Sequence, residues 1–277
     1  MPTPDAPSTP DAPDAPVALI TGGAGGIGAA LATALAGRGY RVAVTDLDEA
    51  AAMAVAERVG GLALGLDVTD PAANQAAVAA VTAEYDRLDV IALNAGVSTG
   101  HPPGPLNLAA YRRILGVNLD GVVFGVDAAL PALRATGGGS ILVTASLAGL
   151  VPMPSDPYYT LTKTAVVAFV RALAQPLAAE RIRINALCPG FTDTAILGAT
   201  KAEFDAAGFP LLAPADVAAA FLDILDGAAG GEVWFIQPGR AASAYRFHGV
   251  PGPVVAAGGT MAPPTLPGWA GAAAARG

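Results

Sequence analysis

The chain is short of cysteine, of basic residues and of long apolar runs, and each shortage narrows what it can do. Its 277 residues include one cysteine, Cys188, which excludes an intramolecular disulfide and suits a reducing compartment. Lysine and arginine number 15 against 23 acidic residues, for a net charge of −8. Binding nucleic acid needs a basic face to meet phosphates, so that class is set aside. No uninterrupted apolar run reaches the roughly 18 residues that span a bilayer, so no membrane role is expected. Residues Met1 to Pro16 repeat Asp-Ala-Pro without basic residues or an apolar centre. That is no secretory signal, and its proline density predicts an extended, disordered leader. The default expectation is a soluble cytoplasmic protein without a metal site.

What is present is apolar and finely divided. Hydrophobic residues make up 53% and charged residues 14%, enough to bury a substantial core. Short apolar runs alternate with helical stretches from Val17 onward. Strands are expected at Val17–Ile20, Arg41–Thr45, Leu62–Leu66, Val90–Leu93, Ser140–Thr144, Arg183–Leu187 and Glu232–Ile236. Helices fall between them, including a long one over Asn107–Leu133 and a short mobile insert over Ala195–Ala207. This predicts an α/β fold: one doubly wound, Rossmann-type domain over residues 17–240 with a seven-stranded parallel sheet. Right-handed crossovers then favour the order 3-2-1-4-5-6-7. Residues 241–277 lose periodicity and are expected to be an irregular or disordered tail.

The turn after the first strand fits two glycine spacings. Gly23, Gly25 and Gly28 fit G-x-G-x-x-G, whereas Thr21-Gly22 with Gly26 and Gly28 fit T-G-x-x-x-G-x-G. Both serve a tight strand-to-helix turn with close approach of backbone to a pyrophosphate. Asp46 ends the second strand, where a carboxylate can accept from both adenosine-ribose hydroxyls and would repel a 2′-phosphate. The turn holds no Lys or Arg. Together these favour NAD over NADP. Asp67-Val68, after the third strand, is placed to meet adenine, with Asp67 alternatively capping the helix that begins at Pro71. Asn94-Ala95-Gly96 ends the fourth strand, and the Asn94 amide can also tie strands together.

Tyr159 and Lys163 stand four apart at the head of an apolar helix, so they share a face. An ammonium beside a phenol favours the phenolate and predicts a lowered tyrosine pKa. Tyr158 has Thr162 at that spacing, which carries no charge, so Tyr159 is preferred.

In order, Thr21 to Gly28, Asn94-Ala95-Gly96, Asn118, Ser146, Tyr159 with Lys163, and Pro189-Gly190-Phe191-Thr192-Asp193-Thr194 resemble the classical short-chain dehydrogenase/reductase family. The resemblance runs from about Val17 to Ile236. It implies an NAD-dependent oxidoreductase interconverting a secondary alcohol and a ketone. Tyr159 is then the acid or base for the proton that accompanies hydride. Ser146 orients the reacting oxygen. As in the family, Lys163 lowers the tyrosine pKa and holds nicotinamide-ribose hydroxyls, and Asn118 holds a water relaying protons towards Lys163. Asn118 read from the sequence alone is equally a locally satisfied helix residue. Cofactor contacts are implied for Gly22, Gly26, Ile27, Gly28, Asp46, Asp67, Val68, Asn94, Ala95, Gly96, Tyr159, Lys163, Pro189, Gly190, Thr192 and Thr194. Thr192 stands where the family more often has Val or Ile.

Cys188 reads as a packing residue, His101 as a solvated loop residue, and His248 carries no role. If the resemblance holds, Ser98–Pro105, Leu147–Pro157 and Ala195–Pro210 line a substrate pocket, and their apolar content predicts an apolar substrate. Two other readings are an NADPH-dependent carbonyl reductase and a non-catalytic NAD(H)-binding sensor. The resemblance also implies a homodimer or homotetramer.

Overall fold

A computed structural model describes residues 14–98, 100 and 104–249. His101, most of the leader and the tail beyond residue 249 lie outside the described residues.

The short apolar runs form strands, most of them covered on both sides as parallel strands require. They are β1 (Val17–Thr21), β2 (Arg41–Asp46), β3 (Leu62–Gly65), β4 (Val90–Leu93), β5 (Gly139–Thr144), β6 (Ile182–Pro189) and β7 (Val233–Ile236). The order is β3-β2-β1-β4-β5-β6-β7, all parallel, as expected. The expected seven strands are, however, eight. A two-residue strand, β8 (Ser243–Ala244), pairs antiparallel with β7 in the stretch expected to be irregular. Its reach is extended by ring contacts: Tyr245 packs edge-on against Phe235 and Phe247, and the Arg171 guanidinium lies 3.8 Å over the Phe247 ring. Two residues are too few to show a period, so pattern reading could not find β8.

The helices are α1 (Gly26–Ala36), α2 (Glu49–Val59), α3 (Pro71–Tyr85), α4 (Leu108–Leu115), α5 (Gly121–Ala135), α6 (Pro157–Ala178), α7 (Lys201–Ala206) and α8 (Pro214–Gly227). One sheet face packs residues of α1, α2 and α8, including Leu31, Leu35, Val55 and Phe221. The other packs α3, α5 and α6 through Val81, Val126, Leu133, Val166 and Val170. Aspartates start several helices: Asp48 accepts from Ala51 N–H at 3.1 Å and Asp70 from Ala72 N–H at 2.8 Å. Asp70, not Asp67, is therefore the cap of the Pro71 helix.

The long helix expected over Asn107–Leu133 is interrupted. A π-helical turn over Gly116–Asp120 separates α4 from α5. The whole stretch Leu108–Ala135 is long and apolar enough to cross a membrane by length and composition. Here it is a core helix: Val122, Val126, Ala129 and Leu133 are buried against the sheet. The π turn directs Asn118 inward, where it is fully buried. Such single turns recur at functional sites because they re-aim one side chain without ending the helix.

The insert expected over Ala195–Ala207 is a 3₁₀ stretch, Ala195–Thr200, followed by α7. Lys201 pairs with Asp193 at 2.9 Å across it.

Candidate active site

The C-terminal ends of β1, β2, β4, β5 and β6 bring the candidate residues to one edge of the sheet. At its head, the structure chooses between the two glycine spacings. Gly22 and Gly26 have φ of +62° and +50°, which only glycine adopts freely. A Cβ on Gly28 would lie 2.1 Å from the Gly22 carbonyl oxygen and 2.8 Å from Gly23 Cα. Gly25 has φ of −141° and nothing within 4 Å of a Cβ. The backbone thus needs glycine at 22, 26 and 28, the T-G-x-x-x-G-x-G spacing. Ile27 is half-buried against the α1-side core.

Asp46 closes this turn from the end of β2. One carboxylate oxygen accepts from Ala24 N–H at 3.1 Å and the other from Asp48 N–H at 3.2 Å. Opposite, the Thr21 hydroxyl accepts from the amides of Asn94 and Ala95 at 3.0 and 3.1 Å. The Asn94 amide donates to the Thr21 and Gly22 carbonyls at 3.2 and 3.0 Å and accepts from the Thr144 hydroxyl at 2.9 Å. Asn94 is a clamp between β1, β4 and β5. Ala95 packs against Gly22, where a Cβ would meet its Cα at 2.8 Å. Thr194 leans on the turn from the other side, its methyl 2.8 Å from where a Gly26 Cβ would stand.

Asp67 is not drawn into this cluster; it accepts from the amide and hydroxyl of Thr69 at 2.9 and 2.8 Å in an exposed turn. The Val68 side chain is buried, packed where a Cβ on Gly121 would meet it at 2.9 Å. Pro189 pairs with Ile236, and the Gly190 amide donates to the Ile236 carbonyl at 3.0 Å. Thr192 is buried, with its hydroxyl donating to the Gly190 carbonyl at 3.0 Å.

Tyr159 and Lys163 share one face of α6, with the ammonium 5.6 Å from the ring centroid. Lys163 is buried and donates to the Thr144 carbonyl at 2.8 Å. Its ammonium also lies 3.4 Å, and Asn118 Oδ1 3.6 Å, from where a Cβ on Gly96 would stand. The tyrosine pKa moves opposite to the expected lowering. Burial pushes the Tyr159 phenol up to about 12, against the opposing influence of the neighbouring Ser146 hydroxyl. Burial likewise lowers Lys163 to about 8. Desolvation leads in both groups, and the nearby Asp156 and Cys188 push the phenol in the same upward direction.

Ser146 leaves β5 in extended conformation and accepts from Ala148 N–H at 3.1 Å, which orients its hydroxyl. Asn118 is satisfied by its neighbours: Oδ1 accepts from Val97 N–H at 2.8 Å, and Nδ2 donates to Val97 O and Thr162 Oγ1 at 2.8 and 3.2 Å. Its side chain holds protein in place through partners 21 and 44 residues away, not within its own helix as the local reading expected. Tyr158 packs on Tyr111 of α4, edge to face at 5.3 Å. Cys188 is buried, and desolvation raises its thiol to about 12, so it is no nucleophile. His248 is exposed.

Three residues that sequence reading passed over do much of the positioning. Thr21 staples β1 to the Asn94 segment, Thr144 engages both Asn94 and Lys163, and Asp156 caps α6 directly under Tyr159. The cap was findable: Asp-Pro before a helical run is a start signal.

A parallel doubly wound sheet whose first crossover is a glycine turn defines the dinucleotide-fold class of α/β proteins. Within it, the sequence profile of the short chain dehydrogenase family matches residues 16–204, and the chain belongs to that family of oxidoreductases. Cis-4-hydroxycyclohexanecarboxylate dehydrogenase of Sinomonas cyclohexanicum is 36% identical over 182 residues, spanning 64% of this chain and 73% of that protein. Cyclohexanol dehydrogenase of Acinetobacter sp. (strain SE19) is 34% identical over 194 residues, 68% of this chain and 76% of that one. The crystal structure of a 3-ketoacyl-(acyl-carrier-protein) reductase from Brucella melitensis, complexed with NADH, superposes with a TM-score of 0.75. It is 31% identical, covering 83% of this chain and all of that one.

Proposed function

We propose that the protein is an NAD-dependent dehydrogenase interconverting an apolar secondary alcohol and its ketone, with Tyr159 as the acid–base group. The observation that carries this reading is Tyr159 beside Ser146, with buried Lys163 one helical turn behind it. A bound nicotinamide supplies the hydride acceptor or donor. The residues that fit it are the 22–28 turn, Asp46, the Asn94–Gly96 segment and Thr194, which together form a cradle with backbone exposed where side chains would clash.

Ser146 holds the reacting oxygen by hydrogen bond, and Tyr159 takes its proton in oxidation or returns it in reduction. Lys163 supplies positive charge behind the phenol. With Tyr159 raised and Lys163 lowered, the sign of the pH dependence follows. Alcohol oxidation needs the phenolate, so kcat/KM for oxidation rises as pH is raised through the neutral range. Ketone reduction needs the phenol and falls only as pH climbs towards the tyrosine pKa. Initial rates in both directions between about pH 6 and about pH 10, a range that brackets the Lys163 value and lies below the Tyr159 value, check this; parallel profiles would contradict it.

NAD is preferred because the Asp46 carboxylate stands at the end of β2, against the turn. Since Asp46 also receives Ala24 N–H, Asp46→Asn is the cleaner test: it keeps an acceptor and loses the charge. The ratio of kcat/KM for NAD over NADP is expected to fall roughly tenfold or more, because like-charge repulsion costs several kcal/mol. An unchanged ratio, or equal use of both cofactors by the wild type, overturns the assignment.

The substrate reading rests on rings. Phe191, Phe204 and Phe209 form a mutual cluster with centroids 4.5 to 5.9 Å apart, and Phe191 and Phe209 are partly exposed. Two relatives carry cyclohexane-ring alcohols in their names. Together these support an alicyclic secondary alcohol. A screen of cyclohexanol, 4-hydroxycyclohexanecarboxylate and open-chain secondary alcohols with NAD and NADP, read by NADH or NADPH absorbance, tests it. NADH binding without turnover across that screen would favour a non-catalytic sensor. A cytoplasmic homodimer or homotetramer is part of the same reading, with the oligomer read by light scattering.

A further inference from the structure

Asp156 is 2% exposed, yet a helix cap is ordinarily a surface group. One oxygen makes the expected cap, Oδ1 accepting from the Tyr159 amide at 3.0 Å, with Pro157 in the first helical position. A cap needs nothing more. The other oxygen reaches 58 residues back along the chain, where Oδ2 accepts from the Ser98 hydroxyl at 2.8 Å. It also accepts from the Gly100 amide at 3.1 Å, and that amide is shared with Ser98 Oγ at 3.2 Å. This segment directly follows Asn94-Ala95-Gly96, and Asn118 grips its first residue, Val97, through both amide and carbonyl at 2.8 Å. Val97, Ser98 and Gly100 are therefore held from two elements: the π turn and the head of α6.

The chemistry singles out a carboxylate. Among the described residues three N–H or O–H groups converge on two oxygens, and an ionised carboxylate accepts at both without donating. Hydrogen bonds to a charged acceptor are also about twice as strong as neutral ones. An amide could serve the cap with its oxygen, but its NH₂ would then face the Gly100 N–H, donor against donor.

We propose that Asp156 is a positioning residue that locks the segment after β4 to the first turn of α6, setting the substrate mouth in register with Tyr159. The proposal rests on Tyr159 being the acid–base group. The dual contact sets it apart from an ordinary cap, because shortening or neutralising Asp156 disturbs a second segment as well as the helix.

Asp156→Asn separates the two contacts, and Asp156→Ala removes both. For Asp156→Asn, KM for the secondary alcohol is expected to rise roughly tenfold, as for the loss of a charge-assisted hydrogen bond. In the same variant kcat and NADH affinity change less than about threefold, within the effect of an ordinary surface substitution. Amide hydrogen exchange at Gly100, resolved by fragmentation mass spectrometry on the full chain, is expected to speed up while the Tyr159 amide stays protected. Asp156→Ala is expected to release both amides and to lower kcat as well. Ser98→Ala should reproduce part of the KM rise, and its combination with Asp156→Asn should be less than additive, since both act on one contact. Unchanged Gly100 exchange in Asp156→Asn, or a kcat loss at constant KM, would overturn the proposal. Exchange is read without substrate, so a wild type that turns over no alcohol refutes the acid–base reading while the lock is still judged by Gly100.

Discussion

Tyr159→Phe is expected to abolish turnover while leaving NADH binding intact, and Tyr158→Phe to retain most activity. The contrast is sharp because the two rings differ by one residue and occupy different surroundings. The Tyr159 hydroxyl sits beside Ser146 with the buried Lys163 ammonium 5.6 Å from its ring; Tyr158 instead packs on Tyr111. Removing one positioned acid–base group costs on the order of 10²–10⁴-fold in rate. On the proposed function, losing the tyrosine would also leave the substrate oxygen with Ser146 alone. Binding of NADH, followed by fluorescence quenching or calorimetry, is expected to change little, since phenylalanine preserves the ring and the helix. Steady-state rates of both variants at saturating cofactor decide the matter. A Tyr158→Phe enzyme as impaired as Tyr159→Phe would mean that proton transfer is not confined to one ring.

Gly28→Ala is expected to be the most damaging single-methyl change in the chain, and Gly25→Ala among the mildest in the same turn. A Cβ at position 28 would be 2.1 Å from the Gly22 carbonyl oxygen and 2.9 Å from the Asn94 amide nitrogen. Both neighbours are fixed: one is backbone, and the other bridges β1 and β5 through three side-chain hydrogen bonds. Relief therefore requires moving α1 away from the turn. The cost exceeds the about 1–3 kcal/mol of ordinary overpacking, because no flexible side chain can yield. At position 25 a methyl enters open space, and only the preference for glycine over alanine at a helix N-cap opposes it, under about 1 kcal/mol. Thermal unfolding and NADH titration of both variants separate the outcomes. Equal melting temperatures would mean that the turn is softer than its contacts imply.

Much of this arrangement could be read from the chain in advance, and the exceptions have physical causes. Most of the seven parallel strands announced themselves because they are buried on both faces and so are continuous apolar runs; β3, at the rim, is only half-buried. Their order followed from crossover handedness. The Tyr159–Lys163 face followed from helical spacing. The tyrosine pKa went the other way because spacing reports direction along a helix and says nothing of solvent. Burial of both groups was decided by the Thr144 carbonyl and the β5 end, distant in sequence. The π turn was hidden because Gly116 and Gly121 look like tolerated helix glycines, and the packing of Thr69 on Gly116 and Val68 on Gly121 gives them a purpose. The bonding of Asp67 to the Thr69 amide and hydroxyl was not legible from its strand-end position. Asp156 was passed over since its second partner lies 58 residues away.

The two-residue strand β8 bears on how this sheet ends. A parallel sheet grows by adding strands at its rims, and an uncovered β7 would present a row of unpaired amides and carbonyls to any other extended chain. By folding back antiparallel, with Tyr245 and Phe247 anchored on Phe235 and Arg171, the segment occupies that rim. The opposite rim is β3, only four residues long. A sheet stoppered at one side and brief at the other is a poor template for polymerisation, and the segment after Gly239 protects the chain from its own hydrogen-bonding capacity.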